Sequence, residues 1–185
     1  MKGTIVASRY AKSLLDLALE QGNLEQAKED VQMILNVFKE SRDFRNFIKN
    51  PVIKTDKKIA ALRELFAGRL GSLLIAFVEL LAKKRRENYL EDIGKEFLKE
   101  YNRHKQVMIA VITSAAGIDQ TTRQQVLKMV TDSTKWEVEL IEKVNPEFIG
   151  GFTLQFGDKR IDTTVLYKLN KLKREFKENP YIKNF

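Results

Sequence analysis

Over the first hundred residues apolar side chains recur every three or four positions, and after Gln106 they alternate. The first pattern predicts amphipathic helices and the second half-buried strands, because side chains repeat every 3.6 residues on a helix and every two on a strand. Six helices are expected in the first region, over about residues 4–21, 24–41, 43–49, 56–66, 70–82 and 87–104. Gly22 ends the first, Asn50-Pro51 stops the third, and Thr55 is placed to cap the fourth. The first helix carries two neighbouring apolar stripes, one of Val6, Tyr10, Leu14 and Leu17, the other of Ala7, Ala11, Leu15 and Ala18. A surface helix needs only one, so the second is either buried in a bundle or left for a partner. The fifth helix holds the most apolar run, Leu73 to Val78. That run falls well short of the roughly 20 residues that span a bilayer and reads as the centre of a bundle.

Beyond Gln106, Val107, Ile109 and Val111 alternate with Met108, Ala110 and Ile112 in a strand apolar on both faces, as expected of a central strand covered on both sides. Asp119 or Thr121 caps a helix to about residue 131, and a second strand runs over residues 136–142. Asn145-Pro146 then breaks the chain. Gly150-Gly151 at the mouth of a strand marks a bulge or the close approach of another backbone. Phe152, Leu154 and Phe156 alternate with Thr153 and Gln155, Gly157-Asp158 forms a hairpin turn, and residues 159–161 return. Asp162 has the chemistry to cap a last helix, to about residue 177, in which Val165, Leu169, Leu172 and Phe176 repeat at helical spacing. The tail, residues 179–185, is expected to fray. The expected fold is α+β: an N-terminal six-helix bundle, residues 1–105, then a small C-terminal domain of strands and helices, residues 106–185.

Composition narrows the chemistry. There is no cysteine, which excludes a disulfide framework, a thiolate zinc site and a cysteine nucleophile. The single histidine, His104, has no acidic cluster beside it, so neither a metal site nor a Ser-His-Asp set is expected. No phosphate loop or Rossmann glycine triplet occurs; Gly150, Gly151 and Gly157 have the wrong spacing for either. No catalytic, cofactor-binding or metal residue is therefore assigned, and neither a signal peptide nor a membrane span is expected. The net charge of +8 raises the question of nucleic acid. Residues 1–105 hold 21 Lys/Arg against 15 Asp/Glu, and residues 106–185 hold 12 against 10, with both signs interspersed. Only Lys83, Lys84, Arg85 and Arg86 form a compact basic run, which also suits a helix C-terminus.

Residues 145–165, NPEFIGGFTLQFGDKRIDTTV, resemble the signature region of the delta subunit of F-type ATP synthases, called the oligomycin-sensitivity-conferring protein in mitochondria. The family's acid-Pro-x-x-Ile-Gly-Gly, Gly-Asp and Asp-x-Ser stand here as Asn145-Pro146-Glu147-Phe148-Ile149-Gly150-Gly151, Gly157-Asp158 and Asp162-Thr163-Thr164. Asn replaces the acid and Thr replaces Ser. The strings SRYAKSLLDLALE, NPVIKTDKKIAAL and LLAKKRRENYL are similar to further stretches of the family.

The resemblance implies a non-catalytic stator subunit. Its helical bundle would bind the N-terminal helix of an alpha subunit on the catalytic head, and its second domain the C-terminal end of the stalk formed by b subunits. Head and stalk would then stay still while the rotor turns, at the cytoplasmic face of a bacterial inner membrane reached only through the complex. The resemblance favours a groove for the alpha-subunit helix lined by Ala7, Tyr10, Ala11 and Leu14 of the first helix with Val78, Leu81 and Ala82 of the fifth. On that expectation Ala11→Trp blocks binding and leaves the bundle intact. Pro146, Gly150, Gly151, Gly157, Asp158 and Asp162 are the structural signature of the second domain. Two alternatives stay open: a small basic nucleic-acid-binding helical protein presenting Lys83 to Arg86, and a helical adaptor of another complex. Salt separates the first, because phosphate binding weakens steeply with ionic strength and apolar helix capture does not.

Overall fold

The computed structural model describes residues 2–177, and the tail at residues 179–185 lies outside them. The fold is α+β, with eight α-helices and a four-stranded sheet among the described residues. The chain divides into two compact units, residues 1–104 and 105–185.

The first unit contains α1 (Lys2–Glu20), α2 (Leu24–Glu40), α3 (Arg42–Lys49), α4 (Thr55–Phe66), α5 (Ser72–Lys83), a 3₁₀ turn (Glu87–Tyr89) and α6 (Leu90–His104). The helix packed most widely is α6, which lies against α1 and α2. Its row Leu90, Ile93, Phe97 and Tyr101 is buried, and burying a side chain the size of Phe97 contributes roughly 1.5–3 kcal/mol. Gly94 makes room for α2, since a Cβ there would sit 3.1 Å from Leu35 Cδ2. The expectation that the fifth helix is the central one is corrected. Leu74, Phe77, Val78 and Leu81 of α5 face inward, but Ala76 and Leu80 on its other side are exposed. An apolar run fills every face of a helix, and packing selects which of them is buried.

Local chemistry ends and joins these helices. The Ser41 hydroxyl accepts from Phe44 N–H at 3.1 Å and caps α3. Thr55, expected as a cap, is instead the first residue of α4, and the preceding Lys54 makes no side-chain cap. The buried Asp30 carboxylate of α2 accepts from Gly71 N–H at 2.7 Å, just ahead of α5. Burial pushes its pKa up, and the amide hydrogen bond opposes this. Lys58 Nζ donates to Glu87 Oε1 at 2.7 Å and to the Ile48 carbonyl at 2.8 Å, so one buried cation ties α3, α4 and the 3₁₀ turn together. Tyr101 Oη donates to Glu25 Oε2 at 2.6 Å; burial, then that carboxylate, push its pKa up to about 12.

The second unit contains β1 (Val107–Ser114), α7 (Gln120–Thr134), β2 (Glu137–Val144), β3 (Phe152–Phe156), β4 (Lys159–Asp162) and α8 (Val165–Lys177). The strand order is β2-β1-β3-β4. β1 and β2 are parallel, joined through α7 as a parallel pair requires; β3 runs antiparallel to β1, and β4 to β3. Asp119 is the residue that caps α7, accepting from Thr122 N–H at 3.3 Å. Ala110, Ile112, Leu154 and Phe156 of the sheet close on Val126 and Val130 of α7. The other face of β1 is only partly covered: Ile109 is exposed and Val111 half-buried. A central strand covered on both sides is therefore not what forms, because the unit has one covering helix in its core and α8 is not in it.

Candidate functional site

The seven residues assigned to a groove fall mostly inside the first unit. Ala7 and Ala11 are 0% exposed, and Leu14, Val78, Leu81 and Ala82 are buried too. Only Tyr10 is half-buried. The groove assignment is corrected on this point: the alanine stripe of α1 is the side turned to the core, where its small side chains let the packed helices approach closely. Spacing placed both stripes on the helix and could not rank them.

What α1 and α5 leave at the surface is a different row. Tyr10 meets Phe77 edge to face, ring centroids 6.3 Å apart. Arg86, just past the end of α5, donates to Tyr10 Oη at 3.0 Å and lies over its ring at 5.5 Å. Tyr10 thus links α1 to α5 and to the turn that follows it. Asn23, the residue before α2, lines a small cleft with Gln26, Ala27 and Asp30 of α2 and residues 71–74 at the start of α5. On the Tyr10 stripe of α1 Leu17 is 42% exposed and Val6 and Tyr10 are half-buried; on α5 Leu80 is 46% exposed, Ala76 is open and Leu73 is half-buried. Leu73 and Ala76 were legible only as parts of the apolar run, and Leu80 lies just beyond it. The basic run is partly absorbed in ending α5: Arg85 takes φ +56°, and the amides of Arg85 and Arg86 donate to the Ala82 and Leu81 carbonyls at 2.9 and 2.8 Å.

In the second unit Asn145-Pro146, Gly150, Gly151 and Asp162 stand at one end of the β3–β4 hairpin and Gly157-Asp158 at the other. Pro146 follows Asn145, whose amide donates to the Ser114 carbonyl at 2.8 Å and whose Oδ1 accepts from Glu147 N–H at 3.0 Å. Asparagine thus supplies the same acceptor atom as the acid it replaces. At Gly151, φ is +79° and an added Cβ would sit 2.5 Å from the Thr163 carbonyl oxygen, a distance no side chain tolerates. Gly150 is looser, its would-be Cβ 3.3 Å from Val165 Cγ2. Gly157-Asp158 is the two-residue turn between β3 and β4, with Gly157 at φ +53°.

Asp162 does not cap α8 directly, which corrects the sequence expectation. Its Oδ1 accepts from the Thr164 amide at 3.0 Å and the Thr164 hydroxyl at 2.7 Å. Thr164 Oγ1 in turn accepts from Tyr167 N–H at 3.2 Å, so the threonine is the cap and the aspartate orients it. The Thr164 hydroxyl bond holds the Asp162 carboxyl below the usual aspartate range. Val165 N–H donates to the Gly150 carbonyl at 3.1 Å and fastens the start of α8 to the strand mouth. The rest of α8 presents Leu166, Leu169, Leu172 and Phe176 to solvent, the last 85% exposed.

Three comparisons bear on this arrangement. The family model described as ATP synthase delta (OSCP) subunit matches residues 6–176. A protein of Cytophaga hutchinsonii named ATP synthase subunit delta is 39% identical over 178 residues, 96% of this chain and 97% of the relative. One of the same name from Christiangramia forsetii is 33% identical over 182 residues, 98% of each chain. Among solved structures, a chain in the cryo-EM structure of the Toxoplasma gondii mitochondrial ATP synthase hexamer shares the fold, with TM-score 0.72 at 20% identity over 94% of this chain and 98% of that one.

Proposed function

This chain belongs to the ATP synthase delta (OSCP) subunit family, and from that membership we propose how its two units divide the work. It is a non-catalytic stator subunit of the F-type ATP synthase, joining the catalytic head to the peripheral stalk so that rotation is coupled to ATP synthesis. The nucleic-acid alternative has no support in that membership.

The six α-helices of the first unit act as one bundle, and the seam between α1 and α5 takes the N-terminal helix of an alpha subunit. The second unit takes the C-terminal end of the b stalk. The protein works at the cytoplasmic face of the bacterial inner membrane; among the described residues no helix is long and apolar enough to cross it. A stator joint must resist torque and do no chemistry. A helix held in an apolar seam meets that need, because buried anchors supply affinity and need no chemical step.

The observation that carries the proposal is the apolar surface left open on α1 and α5, Leu17 and Leu80 foremost. Arg9 and Lys12 of α1 and Lys83 and Lys84 at the end of α5 lie exposed, with Asp16 and Glu20 toward the other end of α1, and favour an occupant acidic toward the end that meets the basic residues. Calorimetric titration of the full chain with a synthetic peptide of the N-terminal helix of the alpha subunit tests it. Leu80→Glu is expected to weaken binding by about thirtyfold or more, an anchor's worth of ~2 kcal/mol, with the melting temperature unchanged. Unaltered binding by Leu80→Glu and by Leu17→Glu moves the seam elsewhere.

A further inference from the structure

The last helix carries an apolar seam outside the core of its own unit. Val165, Leu169, Leu172 and Phe176 lie four, three and four residues apart, the d-a-d-a spacing of two heptads. All four are exposed, Leu169 by 53%, and none belongs to the hydrophobic cluster of the sheet and α7. A 13-residue helix is marginal in water by itself, so a helix with such a seam gains stability from whatever covers the seam. Its first turn is already fixed, by the Thr164 cap and the Val165–Gly150 bond.

The flanks say what covers it. In this register Lys168 and Glu175 fall at the g positions, Leu166 and Lys173 at e, and Lys171 and Arg174 behind. Glu175 faces Lys171 at 3.8 Å. We propose that α8 pairs as a two-stranded coiled coil with an amphipathic helix whose flanking positions are acidic. This rests on reading the second unit as the stalk-binding one and names the chemistry by which it takes the stalk. A parallel second copy of α8 is a poor occupant, since Lys168 of one helix would meet Lys173 of the other. A membrane surface is a poorer fit: a helix lying in lipid presents a broad apolar face, and beyond Leu166 in the first turn the apolar residues keep to the narrow a and d seam of a helix pair.

The test uses the full chain, its Leu169→Glu/Leu172→Glu variant and its Lys168→Glu/Lys173→Glu variant. The probes are a synthetic peptide of the last segment of the b stalk and two designed helical peptides with one leucine seam, flanked by Glu in one and by Lys in the other. The seam variant is expected to lose the b peptide by about thirtyfold or more at an unchanged melting temperature. The acidic peptide is expected to bind wild type about tenfold more tightly than the basic one at low salt, and the charge variant to reverse that order. If the b peptide binds wild type and seam variant alike, the α8 proposal fails and the stalk reading stands. If it binds neither, the stalk reading fails, and the designed peptides still judge the seam. A seam variant with a lowered melting temperature makes the row part of the core and overturns the proposal. So does wild type that ignores both designed peptides but binds vesicles containing phosphatidylglycerol through Leu169 and Leu172.

Discussion

Gly151 and Gly150 are adjacent and identical in composition, yet the chain requires them differently. Gly151 holds φ +79° with the Thr163 carbonyl where a Cβ would go, while Gly150 has room within a few tenths of an ångström. Gly151→Ala is expected to destabilise the second unit by about 1–3 kcal/mol, and Gly150→Ala by less than about 1. The chain's only tryptophan, Trp136, belongs to this unit, so its fluorescence in a urea titration isolates the effect. Equal midpoints for the two variants would refute the close-approach argument. Asp162 makes a second prediction at this scale. Its folded pKa lies below the ordinary 3.8, so its contribution is fully present above that value and is lost as pH falls through it toward the folded value. Asp162→Asn should flatten part of the acid limb of the Trp136 signal; Asp119, whose pKa is lowered by its cap bonds to Thr122, contributes to it with the same sign. Asp30 has the opposite sign, its raised pKa costing stability as pH rises, but it lies in the other unit.

Between elements, the decisive contact is α1 on α6. Ala11 has no exposed surface, so a larger side chain must push the helices apart. Ala11→Trp is therefore expected to lower the stability of the first unit by about 1–3 kcal/mol or more, read as a fall in the circular dichroism melt. Loss of peptide binding in that variant would then follow from damage to the fold. The Lys58–Glu87 pair gives a companion test. Glu87→Ala leaves a buried ammonium with only the Ile48 carbonyl, and is expected to cost about 3–5 kcal/mol. Replacing both partners, Lys58→Met with Glu87→Leu, should recover most of that loss in a double-mutant cycle. A double variant as weak as Glu87→Ala would show that the pair does more than satisfy itself.

For the whole molecule, two separate cores predict two separable folding units. Residues 1–104 alone should give a helical spectrum and a cooperative melt, keep binding of the alpha-subunit peptide, and lose the b peptide. A fragment without a thermal transition would mean that the first core is incomplete alone. The proposed division of labour, one partner to each unit, is what this fragment tests.

Periodicity alone predicted the helices of the first unit, the change to strands at Gln106 and the hairpin at Gly157-Asp158, because each depends on neighbours within a few residues. The close approach of another backbone at Gly150-Gly151 was legible for the same reason and falls at Gly151, whereas the stretch as a signature was legible only by its resemblance to a family. Orientation was not legible. Ala7 and Ala11 satisfy a core stripe and a partner stripe equally well until α6 is in place. The apolar run of α5 marks no face as outer until α2 and α4 cover the others. Asp162 and Thr164 are both capping residues, and only the bend after β4 decides which one meets the amides. Likewise, β1 is apolar on both faces, yet α7 covers one of them. Local chain energetics write the elements, while the side of each that is buried is settled by which neighbour arrives to exclude water from it.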